Sequence, residues 1–170
     1  MGYVDSDYAG CKDTRRSMEG SVFIVAGEPV LWACKHQATV ALLTVEVEYM
    51  GFSQATTQAI WLAKFFDEIG LLMTAPIHIY ADNMGSIANT VNRKNYRRMK
   101  HIDVKYHFTK EHVELGMVVF KYTPSNKNLA DLFTKPLSRD ALQNIITNLG
   151  LIPRKMNAPV QREYCNELTQ

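Results

Sequence analysis

Apolar positions along the chain follow two different periods. Near the N-terminus they form short runs: "GYVD" (2–5), "SVFIVAG" (21–27) and "PVLWACK" (29–35) predict three strands, the last two forming a meander broken at Gly27–Pro29. The turn-rich segment "SDYAGCKDTRRSMEG" separates the first strand from the second. From Thr44 the period becomes helical, and "TVEVEYMGFSQATTQAIWLAKFFDEIG" predicts one long helix with Thr44 as N-cap and Gly70 as its stop. A strand at "PIHIYAD" (76–82), a short helix at "NMGSIANTVN" and a helix over about 101–115, closed by Gly116, follow. "MVVFKYT" is a fifth strand, "NLADLFTK" a short helix stopped by Pro136, and Ser138 caps a last helix carrying Leu142, Ile145, Ile146 and Leu149. Three strands followed by alternating helices and strands predict an α/β domain with a mixed sheet over residues 1–151. Beyond it, "PRKMNAPVQREYCNELTQ" is polar, holds two prolines and reads as a flexible tail over residues 152–170.

A helical wheel separates the two acids of "VEVEY". At ~3.6 residues per turn, Phe52, Ala55, Ala59, Leu62, Ala63 and Phe66 lie within about 60° of Glu48, so Glu48 shares the stripe that faces the core. Glu46 points nearly the opposite way, with Ser53, Thr57, Lys64 and Glu68, and reads as solvated. A buried carboxylate has to be protonated, paired or bound to a cation. The plainer alternative places Glu48 at the open end of the stripe, in the first turn, where water and the helix dipole reach it.

Composition narrows the function classes without choosing among them. Hydrophobic residues make up 46% and charged residues 21%, which suits one globular domain of 170 residues. A net charge of only +2 means that any affinity for nucleic acid must come from local patches. Cys11, Cys34 and Cys165 form neither a metal-binding pair nor a disulfide framework, so a reducing intracellular setting, cytoplasmic or nuclear, is expected. No apolar run reaches membrane-spanning length, and the charged N-terminus does not read as a signal peptide.

Two further acids share the character of Glu48. Asp5 closes "GYVD" and Asp82 closes "IHIYAD", and neighbouring parallel strands of an open α/β sheet bring their carboxyl ends together. Each Asp alone is more often a turn former, and Asp7 is better explained that way, as part of the turn after the strand. Three acids meeting at one sheet edge would repel one another without cations, and hard oxygen ligands suit Mg²⁺ or Mn²⁺.

Six segments in order carry a family resemblance: "GYVDSDYAG", "HQATVALLTVEVEYMG", "AIWLAKFFDEIGL", "IYADNMGSIA", "KHIDVKYHF" and "NLADLFTKPL". Together they closely resemble the ribonuclease H domain at the C-terminus of the polyprotein of copia-type LTR retrotransposons. The resemblance implies a ribonuclease H-like fold, a five-stranded mixed sheet flanked by helices. It implies a catalytic and metal-binding set of Asp5, Glu48, Asp82 and Asp131, the last not otherwise distinguishable from an ordinary helix acid. It implies two divalent ions, ~4 Å apart, acting on the scissile phosphate, and hydrolysis of the RNA strand of an RNA–DNA hybrid. A reverse transcriptase domain of the parent polyprotein is the implied protein partner. The loop "YTPSNKN" lacks the histidine that cellular and retroviral members carry before the last acid. Ala81 stands where the family usually has Cys, and "NRKNYRRMKHID" is more basic than the usual segment.

Arg93, Lys94, Arg97, Arg98 and Lys100, with Tyr96 among them, predict a surface that tracks the phosphates of a hybrid, against the alternative of a merely solvated loop. Asn83, beside Asp82, and Arg15 and Arg16, after the first strand, are further candidates for nucleic-acid contact. His101, His107 and His112 match no zinc spacing. Trp61 and its aromatic neighbours read as core rather than as a stacking platform. The competing function is a captured module of the same fold that binds nucleic acid or a partner without cutting. Retention of all four acids argues against it, because drift would erode a repulsive cluster.

Overall fold

The computed structural model describes residues 1–8, 16–37, 44–71, 76–91 and 100–151. Strand β1 (Gly2–Asp7) pairs antiparallel with β2 (Met18–Val25), which pairs antiparallel with β3 (Glu28–His36). The β2–β3 connection is a two-residue turn with both Ala26 (φ 53°) and Gly27 (φ 91°) left-handed, the geometry that matches the twist of a tight hairpin. Pro29 lies just inside β3, on the edge of the sheet, where its missing N–H matters least. Helix α1 (Thr44–Glu68) then leads to β4 (Ile77–Ala81), α2 (Met84–Val91), α3 (Lys100–Glu114) and β5 (Val118–Tyr122). Two 3₁₀ turns, η1 (Ser125–Lys127) and η2 (Leu129–Phe133), precede α4 (Arg139–Asn148). The five strands stand in the order β3-β2-β1-β4-β5, with β1 parallel to β4 and β4 parallel to β5, which is the mixed sheet the element order predicts.

Each face of the sheet has its own core. On one, Phe52, Ala55, Ala59 and Leu62 of α1 pack against Val4, Phe23, Ile77, Ile79, Val118 and Phe120. This is the stripe that the wheel assigns to the core. On the other, Ile145 and Leu149 close over Val22, Ile24 and Leu129. Ser138 caps α4 by accepting from the Ala141 amide, and Gly70 and Gly116 take positive φ just past α1 and α3, where such glycines end helices.

Three sequence expectations fail here. Asp7 is not in a turn: β2 starts at Met18, earlier than the apolar run suggests, and holds Asp7 in β1 as the partner of Met18. Glu46 is not solvated but only 3% exposed, and α3 packs along α1 and covers part of that helix. The edge-on contact of Tyr49 with Tyr106 marks that cover. Trp61 is not core but 55% exposed, lying off the buried stripe and stacked on Phe65 at 5.6 Å. Cys34 is a free, exposed thiol; the other two cysteines and the predicted tail lie outside the described residues. No helix among the described residues is long and apolar enough to cross a membrane.

Candidate active site

The parallel register of β1 and β4 decides which residues meet. Gly2 lies beside Ile79 and Tyr3 beside Tyr80, whose rings stack at 5.2 Å, so two residues further along both chains Asp5 and Asp82 arrive side by side. Asp131 comes from η2, which packs against β1 and β2 on the face opposite α1. One carboxylate oxygen from each of Asp5, Asp82 and Asp131 lies within 4.8 Å of the others. Glu48 enters from the α1 side, near enough for the charges of Asp5 and Asp82 to act on it. The structure thus brings all four sequence-predicted acids to the carboxyl edge of the parallel strands.

Small residues set those approaches. At Gly51, one turn beyond Glu48, a Cβ would collide with Ser6 Oγ, so the bare position eases the approach of α1 to β1. Gly20 is the cross-strand partner of Asp5, and a Cβ there would stand 2.7 Å from Cβ of Phe133 and 2.9 Å from Cγ2 of Thr134. That bare spot lets η2 seat beside Asp5. Asn128, 1% exposed, completes the seat: its Nδ2 donates to the Val4 carbonyl at 3.0 Å, and its Oδ1 accepts from the Ala130 amide at 3.2 Å. One side chain therefore ties the turn bearing Asp131 to the residue preceding Asp5.

Each acid also has its own partner. Thr134 Oγ1 donates to Asp5 Oδ2, and Ser125 Oγ donates to Asp82 Oδ2 at 2.7 Å. Asn83 donates to Glu48 while its Oδ1 accepts from the Ser86 amide at 2.9 Å, capping α2. Lys135 reaches into the cluster, with Nζ 3.1 Å from Asp5 Oδ1, 3.0 Å from Asp131 Oδ1 and 3.8 Å from Asp82 Oδ2. Burial, and then the charges of Asp5 and Asp82, push the Glu48 carboxyl up to about 7 against the opposing help of Asn83 and Lys135. Burial likewise raises Asp131, with Lys135 opposing. Burial works against the Lys135 ammonium too, but Asp131 and Asp5 outweigh it and hold it charged beyond the usual lysine range.

The predicted nucleic-acid residues divide. Asn83 sits within the acid cluster, as the partner of Glu48. Arg16 is exposed ahead of β2, and Lys100 is the first residue of α3. Arg15, Arg93, Lys94, Arg97 and Arg98 lie outside the described residues. His112 is engaged with the Phe108 carbonyl, and among the described residues Asp5, Asp82 and Asp131 form the one group of three metal-capable side chains that converge. Sequence reasoning missed Lys135, Thr134, Ser125 and Asn128. Lys135, four residues after Asp131, reads in sequence as a surface ion pair, and the other three are common turn formers.

No family model matches the chain. It is 34% identical over 149 residues, 88% of its length, to the retrovirus-related Pol polyprotein from transposon RE1 of Arabidopsis thaliana. It is 35% identical over 142 residues, 84% of its length, to the Pol polyprotein from transposon TNT 1-94 of Nicotiana tabacum. Among solved structures, LC11-RNase H1 in complex with an RNA/DNA hybrid superposes with a TM-score of 0.57 at 17% identity, covering 83% of this chain and 97% of that one. The chain is a ribonuclease H-fold relative of the copia-type Pol polyproteins. An RNase H domain from Mycobacterium tuberculosis superposes at a TM-score of 0.53 and 12% identity, over 86% of this chain and 96% of that one. The ribonuclease H-fold chain spans about 10% of the length of the RE1 polyprotein.

Proposed function

We propose that this chain is a metal-dependent endoribonuclease that hydrolyses the RNA strand of an RNA–DNA hybrid. The observation that carries the reading is the convergence of Asp5, Glu48, Asp82 and Asp131 at the carboxyl edge of β1 and β4, on a fold shared with RNase H structures. The donor set fits hard divalent ions, since the acids offer only oxygen and their crowding is relieved by positive charge, as the reach of Lys135 into the cluster shows. Asp5, Asp82, Asp131 and Glu48 would hold Mg²⁺ or Mn²⁺, and the bound ions would lower the pKa of an attacking water and neutralise charge on the phosphate and the leaving 3′ oxygen.

The chain's own residues prepare that chemistry. Asn128 and Gly20 fix the Asp131 turn on β1, Ser125 orients Asp82, and Asn83 links Glu48 to the start of α2. Residues 93–100 supply basic charge for the hybrid backbone, and the 2′-hydroxyl of the RNA strand provides the basis for strand choice. The test presents hybrid, duplex RNA, duplex DNA and single-stranded RNA, each end-labelled on one strand, to the chain in Mg²⁺ and in Mn²⁺. Cutting confined to the RNA strand of the hybrid, leaving 5′ phosphates and weakening with added salt, is expected. Equal cutting of duplex DNA would assign the fold to another substrate.

A further inference from the structure

We infer that the Lys135 ammonium is a tethered counter-cation: it holds the carboxylates of the site together before a divalent ion binds, and it leaves them when one does. The inference rests on the metal reading above and adds to it a residue of this chain that competes with the ion.

The geometry makes the two occupants exclusive. Lys135 Nζ stands 3.1 Å from Asp5 Oδ1 and 3.0 Å from Asp131 Oδ1, contacting two of the acids that would ligate an ion. A hard ion bound to those same oxygens would lie within about 2–2.6 Å of each. It would then occupy the space of the ammonium, and two cations in contact repel strongly where water is scarce. Asp5 is 3% exposed at its side chain, so water screens little there.

The arrangement also differs from an ordinary helical ion pair. Lys135 joins acids from three separate elements, β1, η2 and the end of β4, and no exposed i,i+4 pair does that. Its backbone amide is fixed to the Asp131 carbonyl at 3.0 Å, and Pro136 follows directly, so the main chain stays in place. The side chain is one-third exposed (34%) and ends a flexible four-carbon stem, which gives the ammonium a way out to solvent. A rotamer change is all that departure needs.

The test compares the full chain with Lys135→Gln and Lys135→Arg, without nucleic acid. Melting in EDTA and calorimetric titration with Mn²⁺ are the readouts. Lys135→Gln is expected to melt lower in EDTA and to bind Mn²⁺ roughly tenfold more tightly, with a larger Mn²⁺-induced rise in melting temperature, as loss of a competing charge requires. Lys135→Arg should stay near the parent in both. If the parent binds Mn²⁺ and Lys135→Gln binds it no more tightly, the ammonium does not compete and the inference is overturned while the metal site stands. If neither binds Mn²⁺, the metal reading falls and takes the inference with it. Should Lys135→Gln fail to fold, the side-chain ¹⁵N resonance of Lys135 in the parent decides: it should shift on addition of Mg²⁺, and an unmoved resonance under saturating Mg²⁺ overturns the inference.

Discussion

At Glu48, burial and the charges of Asp5 and Asp82 act in the same direction, lifting the carboxyl from its usual 4.5 to about 7. Between those values the folded chain keeps a proton that the unfolded chain has released, so metal-free stability falls as pH rises through that window. Asp131, also raised, adds to the same slope. Melting in EDTA should therefore be lower at about pH 7.5 than at about pH 5.5, and Glu48→Gln should flatten the difference by up to roughly 2 kcal/mol. A variant whose pH slope matches the parent would place the titration elsewhere. Metal uptake has to displace that proton, so Mn²⁺ affinity should climb with pH and level off above about 7. Glu48 was legible in the sequence because a helical wheel needs only local spacing. Its neighbour Glu46 was misread because burial on that side of α1 depends on elements distant in sequence, such as α3 packed along it, and not on local spacing. Lys135 was illegible for a similar reason: its spacing from Asp131 is local, but its contacts with Asp5 and Asp82 depend on the folded sheet.

Strands and the long helix announced themselves through period, and the structure places them there, with β1 and β2 running further than their apolar runs. The η2 turn is different. Its position relative to β1 depends on Asn128 bonding the Val4 carbonyl across 124 residues of sequence, and on Gly20 being bare enough to receive Phe133 and Thr134. Neither is visible in a window of neighbours, so Asp131 could be assigned only through the resemblance. Asn128→Ala would leave a buried carbonyl and an amide unsatisfied. It should lower the free energy of unfolding by about 2 kcal/mol in a denaturant titration, and lower hybrid cleavage by more than stability accounts for. A stability loss with the rate per folded molecule unchanged would mean that Asp131 is seated by other contacts. Trp61 shows the same limit from the other side: an aromatic at near-helical spacing looks like core until the fold shows which flank it occupies.

Across the whole molecule, element order was enough to predict the mixed five-stranded sheet, and at 12% to 17% identity the solved RNase H structures share that fold. Sheet order then explains the site: β1 and β4 are adjacent and parallel, so their ends converge, and the helices on either face deliver one acid each way around that edge. With a net charge of only +2, any affinity for nucleic acid has to come from local charge such as the basic run at 93–100, of which residues 93–99 lie outside the described residues. On the proposed reading, these acids cut RNA with the help of divalent ions. Its most direct test is a labelled RNA–DNA hybrid incubated with the chain in Mg²⁺, in Mn²⁺ and in EDTA, beside Asp82→Asn. Cleavage of the RNA strand in either metal, abolished by EDTA and by a folded Asp82→Asn, is the predicted result. A hybrid that is bound but never cut in either metal would contradict the account and leave a binding module on a nuclease fold.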